Sequence, residues 1–112
     1  MPVATVQLVL GEIGVNLRNL SISVAADEWG WDEFEVANGV TDSDIFPQNI
    51  TTIDVLYIES DQAVTWEHNS ADQRITLDAD KFALLFGTSI TALTISNSSG
   101  STANIKLGWW GT

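Results

Sequence analysis

The chain has no cysteine, two prolines and a single histidine in 112 residues, and only four of its side chains are lysine or arginine. Without thiols there is no disulfide and no thiolate metal site, so stability must come from packing, strand pairing or assembly. Against the four cations stand fifteen carboxylates, giving a formal charge of −11. That sign is opposite to what a phosphate backbone or an anionic lipid surface attracts, which argues against nucleic-acid and membrane partners. No window approaches the ~20 apolar residues that a membrane-spanning helix requires. The first residues, MPVATVQLVLGEIG, include no basic region, and Thr5, Gln7 and Glu12 interrupt their apolar positions. They read as a poor signal peptide, and the expectation is a soluble product made in the cytoplasm.

Hydrophobic residues make up 45% of the chain and charged ones 17%. The charged share is below the usual ~25%, so the surface must carry many Ser, Thr, Asn and Gln side chains or be partly covered by partners. Residues 1–112 suffice for one domain with one core.

A period of two runs through the sequence. Leu20, Ile22 and Val24 alternate with polar residues, as do Ile75 and Leu77, Leu93 and Ile95, and Ile105, Leu107 and Trp109. Each set lies on one face of a pleated strand. The segment Ile53–Ile58 is apolar on both sides and suits the centre of a sheet. Turn-forming residues separate the strands, including Asp78-Ala79-Asp80 and Asn97 to Ser101. Helix competes at Phe82, Leu85 and Phe86, but Gly87 and several β-branched residues follow at once, which favours a strand. The pattern predicts an all-β antiparallel sandwich with little or no helix. Ile53–Ile58 and Ala63–His68 read as one hairpin, and Ile90–Ser96 and Ser101–Trp110 as another across Asn97–Gly100. Asp27–Asn38 reads as an acidic, tryptophan-rich loop leading into a strand over Glu33–Val36.

No catalytic constellation emerges. His68, the sole histidine, lies at a strand end without a G-x-S-x-G nucleophile motif, and an exposed turn residue is the simpler reading. Asp42 with Asp44, and Asp78 with Asp80, place paired carboxylates in turns, but neither fits a calcium-binding EF-hand loop. The expectation is a protein that is not an enzyme and has no cofactor or metal.

The tryptophans carry more information. Trp66, flanked by Thr65 and Glu67, suits a core position, whereas Trp109 and Trp110 are adjacent in a strand and cannot share a face. Flat aromatic rings beside polar side chains could stack sugars, as carbohydrate-binding sandwiches do. The same rings are enriched at protein-interface hot spots. Trp29, Trp31, Phe34, Trp109 and Trp110 are therefore the candidate contact residues, with protein contact preferred over glycan binding.

Ile75-Thr76-Leu77-Asp78, Leu93-Thr94-Ile95-Ser96-Asn97-Ser98-Ser99-Gly100 and Ser101–Leu107, followed by Gly108-Trp109-Trp110-Gly111, resemble a pattern found in small virion proteins of tailed bacteriophages. This resemblance, over about a third of the chain, implies a jelly-roll-like sandwich acting as a capsid decoration, or cement, protein on the outer surface of the virion. It implies a homo-oligomer, a trimer first, docked on the major capsid protein or another virion protein. A tail or fibre module is the neighbouring possibility. The acidic, tryptophan-rich Asp27–Phe34 stretch has no counterpart in that pattern.

Overall fold

In the computed structural model, the backbone of residues 3–12, 15–25, 28–69 and 74–112 is described, with side chains from residue 28 onward except 70–73 and 86–88. Among the described residues ten strands follow in order: β1 (Val3–Glu12), β2 (Val15–Ala25), β3 (Glu28–Val36), β4 (Ser43–Asp44), β5 (Ile53–Ser60), β6 (Val64–His68), β7 (Ile75–Leu77), β8 (Lys81–Ile90), β9 (Leu93–Ser96) and β10 (Ala103–Gly111). Among the described residues there is no helix, as the sequence pattern predicted. The segment over Phe82–Phe86, where helix and strand competed, lies within β8.

Strands β1 and β2 form an antiparallel pair of their own, from Val3 opposite Ala25 to Glu12 opposite Val15. The face that the Leu20, Ile22 and Val24 alternation covers lies outside the described side chains. The remaining eight strands make two four-stranded sheets, ordered β3-β10-β5-β8 and β4-β9-β6-β7. Pairings are nested: β3 with β10, β4 with β9, β5 with β8 and β6 with β7, all antiparallel. Such nesting is one long hairpin folded across itself, held closed by β10 against β5 and β6 against β9. The result is a jelly-roll β-sandwich.

The core lies where the inward rows of the two sheets meet. Leu56, Ile58, Ile105, Leu107 and Trp109 come from one sheet, and Val64, Trp66, Leu77, Leu93 and Ile95 from the other. Burying a Val, Leu, Ile or Phe side chain of this kind contributes about 1.5–3 kcal/mol, set against the conformational entropy of ordering the chain. Trp66 is core, as its position between Thr65 and Glu67 suggested. β5 lies in the sheet interior, as expected, with β10 and β8 as its neighbours.

Three expectations are corrected. Val64–His68 does not pair with β5; it lies in the opposite sheet beside β7 and β9. β10 does not pair with β9 across Asn97–Gly100 but with β3 and β5. Both corrections have one cause: in this topology β5 and β6, and likewise β9 and β10, occupy opposite sheets, so each connection crosses the sandwich. Third, Trp29 to Phe34 belong not to a loop but to a nine-residue strand at the edge of its sheet.

The crossing after β9 is organised by Asn97, which is buried. Its Nδ2 donates to the carbonyls of Val36 (2.9 Å) and Ser101 (2.8 Å), and its Oδ1 accepts from the Ser99 N–H (3.0 Å). Asn69, at the end of β6 with φ 56°, has a similar role at the β8–β9 connection. Its Oδ1 accepts from Thr91 N (2.6 Å) and its Nδ2 donates to Ser89 O (2.9 Å). Left-handed backbone is tolerable for asparagine, and the side chain satisfies groups a turn leaves unpaired.

Candidate functional site

The register of β3, β10, β5 and β8 fixes which residues share the outward face of their sheet. Trp29 lies opposite Trp110, which lies opposite Val55. In the next row Trp31, Gly108, Tyr57 and Leu84 are aligned, and in the third Glu33, Lys106, Glu59 and Phe82. Trp29, Trp31 and Phe82 are 71%, 53% and 55% exposed, large values for side chains of this size and hydrophobicity.

Trp31, Tyr57 and Phe82 make a connected strip. Trp31 and Tyr57 have centroids 5.7 Å apart with planes 26° from parallel, and Tyr57 and Phe82 are 5.6 Å apart at 21°. Trp31 and Tyr57 stand on strands separated by β10, and Gly108 is what lets them meet. A Cβ at Gly108 would lie 2.8 Å from Cε3 of Trp31 and 3.6 Å from Cβ of Tyr57, so any side chain would push the indole aside. The missing atoms at Gly108 are as much a part of the strip as its rings.

The polar groups along this strip are paired with one another. The Tyr57 hydroxyl donates to Glu59 Oε1 (2.5 Å), the Trp31 indole N–H donates to Glu33 Oε1 (3.4 Å), and Lys106 Nζ lies 3.7 Å from Glu59 Oε2. Partial burial, together with the hydrogen bond to Glu59 and its negative charge, pushes the Tyr57 phenol up from 10.0 to about 12. Further along the sheet, Asp61 accepts from the Asn104 backbone N–H (2.8 Å) and from Asn104 Nδ2 (2.7 Å). These bonds hold its carboxyl below the ordinary aspartate value.

The five candidate residues divide between the two faces. Trp29, Trp31 and Trp110 lie on the outward face, and Trp110 is half-exposed. Phe34 and Trp109 point the other way: Phe34 is half-buried against the core and Trp109 belongs to it. Tyr57, Phe82 and Gly108 went unrecognised in the sequence. Their alignment with Trp31 depends on pairings between strands far apart in the chain, which periodicity within one strand does not show.

Asp42 binds Arg74 Nη2 at 3.1 Å and accepts from the Ser96 hydroxyl, while Asp80 takes the left-handed conformation with φ 61°. Among the described residues, no three His, Cys, Asp or Glu side chains converge as a metal site would require. His68 is half-buried at the end of β6, its ring 5.9 Å from that of Trp66.

Fold and face together define a jelly-roll sandwich presenting an open aromatic sheet surface. No known protein family matches the chain, and no curated protein does. Among solved structures it is similar to a de novo designed double-stranded β-helix, with TM-score 0.40 and 12% identity over 97% of this chain and 99% of that one. It is also similar to a protein of Bacillus endospore appendages, a family of disulfide-linked pili, with TM-score 0.43 and 15% identity over 85% of this chain and 100% of that one.

Proposed function

We propose that this chain is a non-enzymatic structural protein that docks on a protein surface through the outward face of the β3-β10-β5-β8 sheet. The observation that carries the reading is the connected row of Trp31, Tyr57 and Phe82, two of whose rings are more than half exposed. Aromatic anchors of this kind supply most of the free energy at protein interfaces, and an apolar strip with a charged margin is the usual anatomy of such a contact. Glycan recognition is the less favoured reading. A sugar site needs polar groups free to engage hydroxyls, whereas the Tyr57 hydroxyl and Trp31 N–H already donate to carboxylates of the same face.

Combined with the resemblance of Ile75–Gly111 to phage virion proteins, the partner we favour is a viral shell. In this role the chain is a decoration protein, self-associated as a symmetric ring, a trimer first, on the outer surface. A charge of −11 suits a protein that must not compete for packaged nucleic acid. The test is occupancy of purified particles by the wild-type chain and by Trp31→Ala and Phe82→Ala, with light scattering for self-association. Truncating a hot-spot anchor costs about 2 kcal/mol or more, roughly a thirtyfold loss of affinity. Wild-type occupancy by both variants would refute docking through this face. A glycan-array signal abolished by the same substitutions would move the reading to sugar recognition.

A further inference from the structure

A second surface, on the other side of β3, is built differently. Between the inward face of β3 and β10 and the segment running from Asp44 to Asn49 lies a groove of about 360 Å³. Phe34, Phe46, Leu107 and Trp109 give it an apolar lining, and Asp32 and Asp44 add two carboxylates. It opens beside β3, a sheet edge among the described residues, where alternate backbone N–H and C=O groups lack a neighbouring strand.

Three observations say what this groove lacks. Among the described residues, ion pairs join Arg74 to Asp42 and Glu67, and Lys106 to Glu59; neither Asp32 nor Asp44 takes part in one. Asp44 accepts from the Phe46 N–H through Oδ1 (3.0 Å), which leaves its second oxygen. Finally, Trp109, which lines the groove, is 8% exposed, and its indole N–H is buried without an acceptor. A buried donor left unpaired costs free energy, and the Trp109 ring that carries it forms one wall of the groove.

We infer that this groove binds an extended segment of a partner protein, adding it along the β3 edge with a lysine or arginine between Asp32 and Asp44 and an apolar side chain on the Phe34–Trp109 lining. Charge decides the occupant. Glu28, Asp32, Glu33 and Glu35 all lie on β3, so a second β3 laid against the first would oppose carboxylate to carboxylate. A second copy is also a poor source of cations, since the chain has four and ion pairs already engage Arg74 and Lys106. A basic strand from another protein meets the acidic edge with complementary charge, supplies backbone groups to an unpaired edge, and sets its apolar side chains against Phe34 and Trp109.

The test uses the full chain labelled with nitrogen-15 and two capped peptides, one of alternating lysine and valine and one of alternating glutamate and valine. The readout is the indole N–H cross-peak of Trp109, assigned through its own backbone. The lysine peptide is expected to shift this peak saturably, and the response should weaken as salt rises from about 50 to about 500 mM. Replacing both carboxylates, Asp32→Asn with Asp44→Asn, should reduce affinity roughly tenfold or more, while the amide oxygen introduced at position 44 can still accept from the Phe46 N–H. Trp31→Ala, on the opposite face, should bind the peptide like wild type, so failure here and failure of the aromatic face are told apart. No shift at about 1 mM peptide, an equal response to the glutamate peptide, or full binding by the double variant would each overturn the inference. Loss of binding in Trp31→Ala would overturn it too, by placing the peptide on the aromatic face.

Discussion

Replacing Asn97 with alanine should destabilise the fold far more than the residue's place in a Ser-rich turn suggests. Its amide makes three hydrogen bonds, to Val36 O, Ser101 O and Ser99 N, and the side chain is 1% exposed. Alanine leaves all three partners behind. The Val36 carbonyl belongs to a buried residue, and losing its partner there costs about 1–3 kcal/mol; the groups of exposed Ser99 and Ser101 can recruit water and cost about 0.5–1 kcal/mol each. The sum is about 3 kcal/mol, a large part of the ~5–15 kcal/mol that holds a domain of this size. Urea denaturation followed by tryptophan fluorescence reads this directly, with a midpoint lowered by about 2 M if the urea slope is near 1.5 kcal/mol/M. Ser99→Ala is the control. It removes a hydroxyl bonded to the Ser101 backbone in the same turn, but at an exposed position, and should cost less than about 1 kcal/mol. If Asn97→Ala loses no more than Ser99→Ala, the turn rather than the Asn97 amide holds the crossing together.

The chain has one tyrosine, so alkaline titration by near-ultraviolet absorbance reports Tyr57 alone and should give a midpoint near 12. A folded value raised above 10.0 means that this group's contribution is fully present below pH 10.0 and is lost as pH rises through about 12; Glu59→Gln should bring the midpoint down. Asp61 acts at the other end: its carboxyl is held low by Asn104, so its contribution is present above the unfolded value of about 3.9 and is lost as pH falls below it. Asp61→Asn should flatten the acid limb of the stability curve; an unchanged limb would contradict the assignment. A Cβ on Gly30 would overlap the Trp109 ring, so Gly30→Ala should cost about 1–3 kcal/mol by thermal or urea unfolding and shift the Trp109 indole resonance. An unshifted resonance would mean that the ring is not packed on Gly30.

The strands were legible where one face is dry and the other wet. Leu93 with Ile95 and Ile105 with Leu107 alternate because their partners across the sandwich are apolar and their other neighbours are not. Trp29 to Phe34 was illegible for the complementary reason. An edge strand exposed on most of both faces carries carboxylates at odd and even positions alike, so Glu28, Asp32, Glu33 and Glu35 erase the period of two. Pairing was harder still. A hairpin is the simplest inference for two strands joined by a turn, and in a jelly roll it fails wherever the chain crosses between sheets, as it does after Ser60 and after Ser96. The aromatic strip shared that fate: Trp31 was visible as a candidate, while Tyr57 and Phe82 needed the register of strands far along the chain.

Strand β10 lies inside its sheet, between β3 and β5, although it is the last of the ten strands to leave the ribosome. Until Ala103–Gly111 emerges, β3 has no neighbour in its sheet, and Trp29 and Trp31 wait beside an unmade surface. The β1–β2 ribbon, whose residues pair close in sequence, can form early, but the sandwich must close late and nearly all at once. During synthesis the half-made chain therefore leaves Trp29 and Trp31 without the strand they lie against in the finished sheet. Its high negative charge, which keeps nascent copies apart, is then a safeguard for the interval before the final strand arrives.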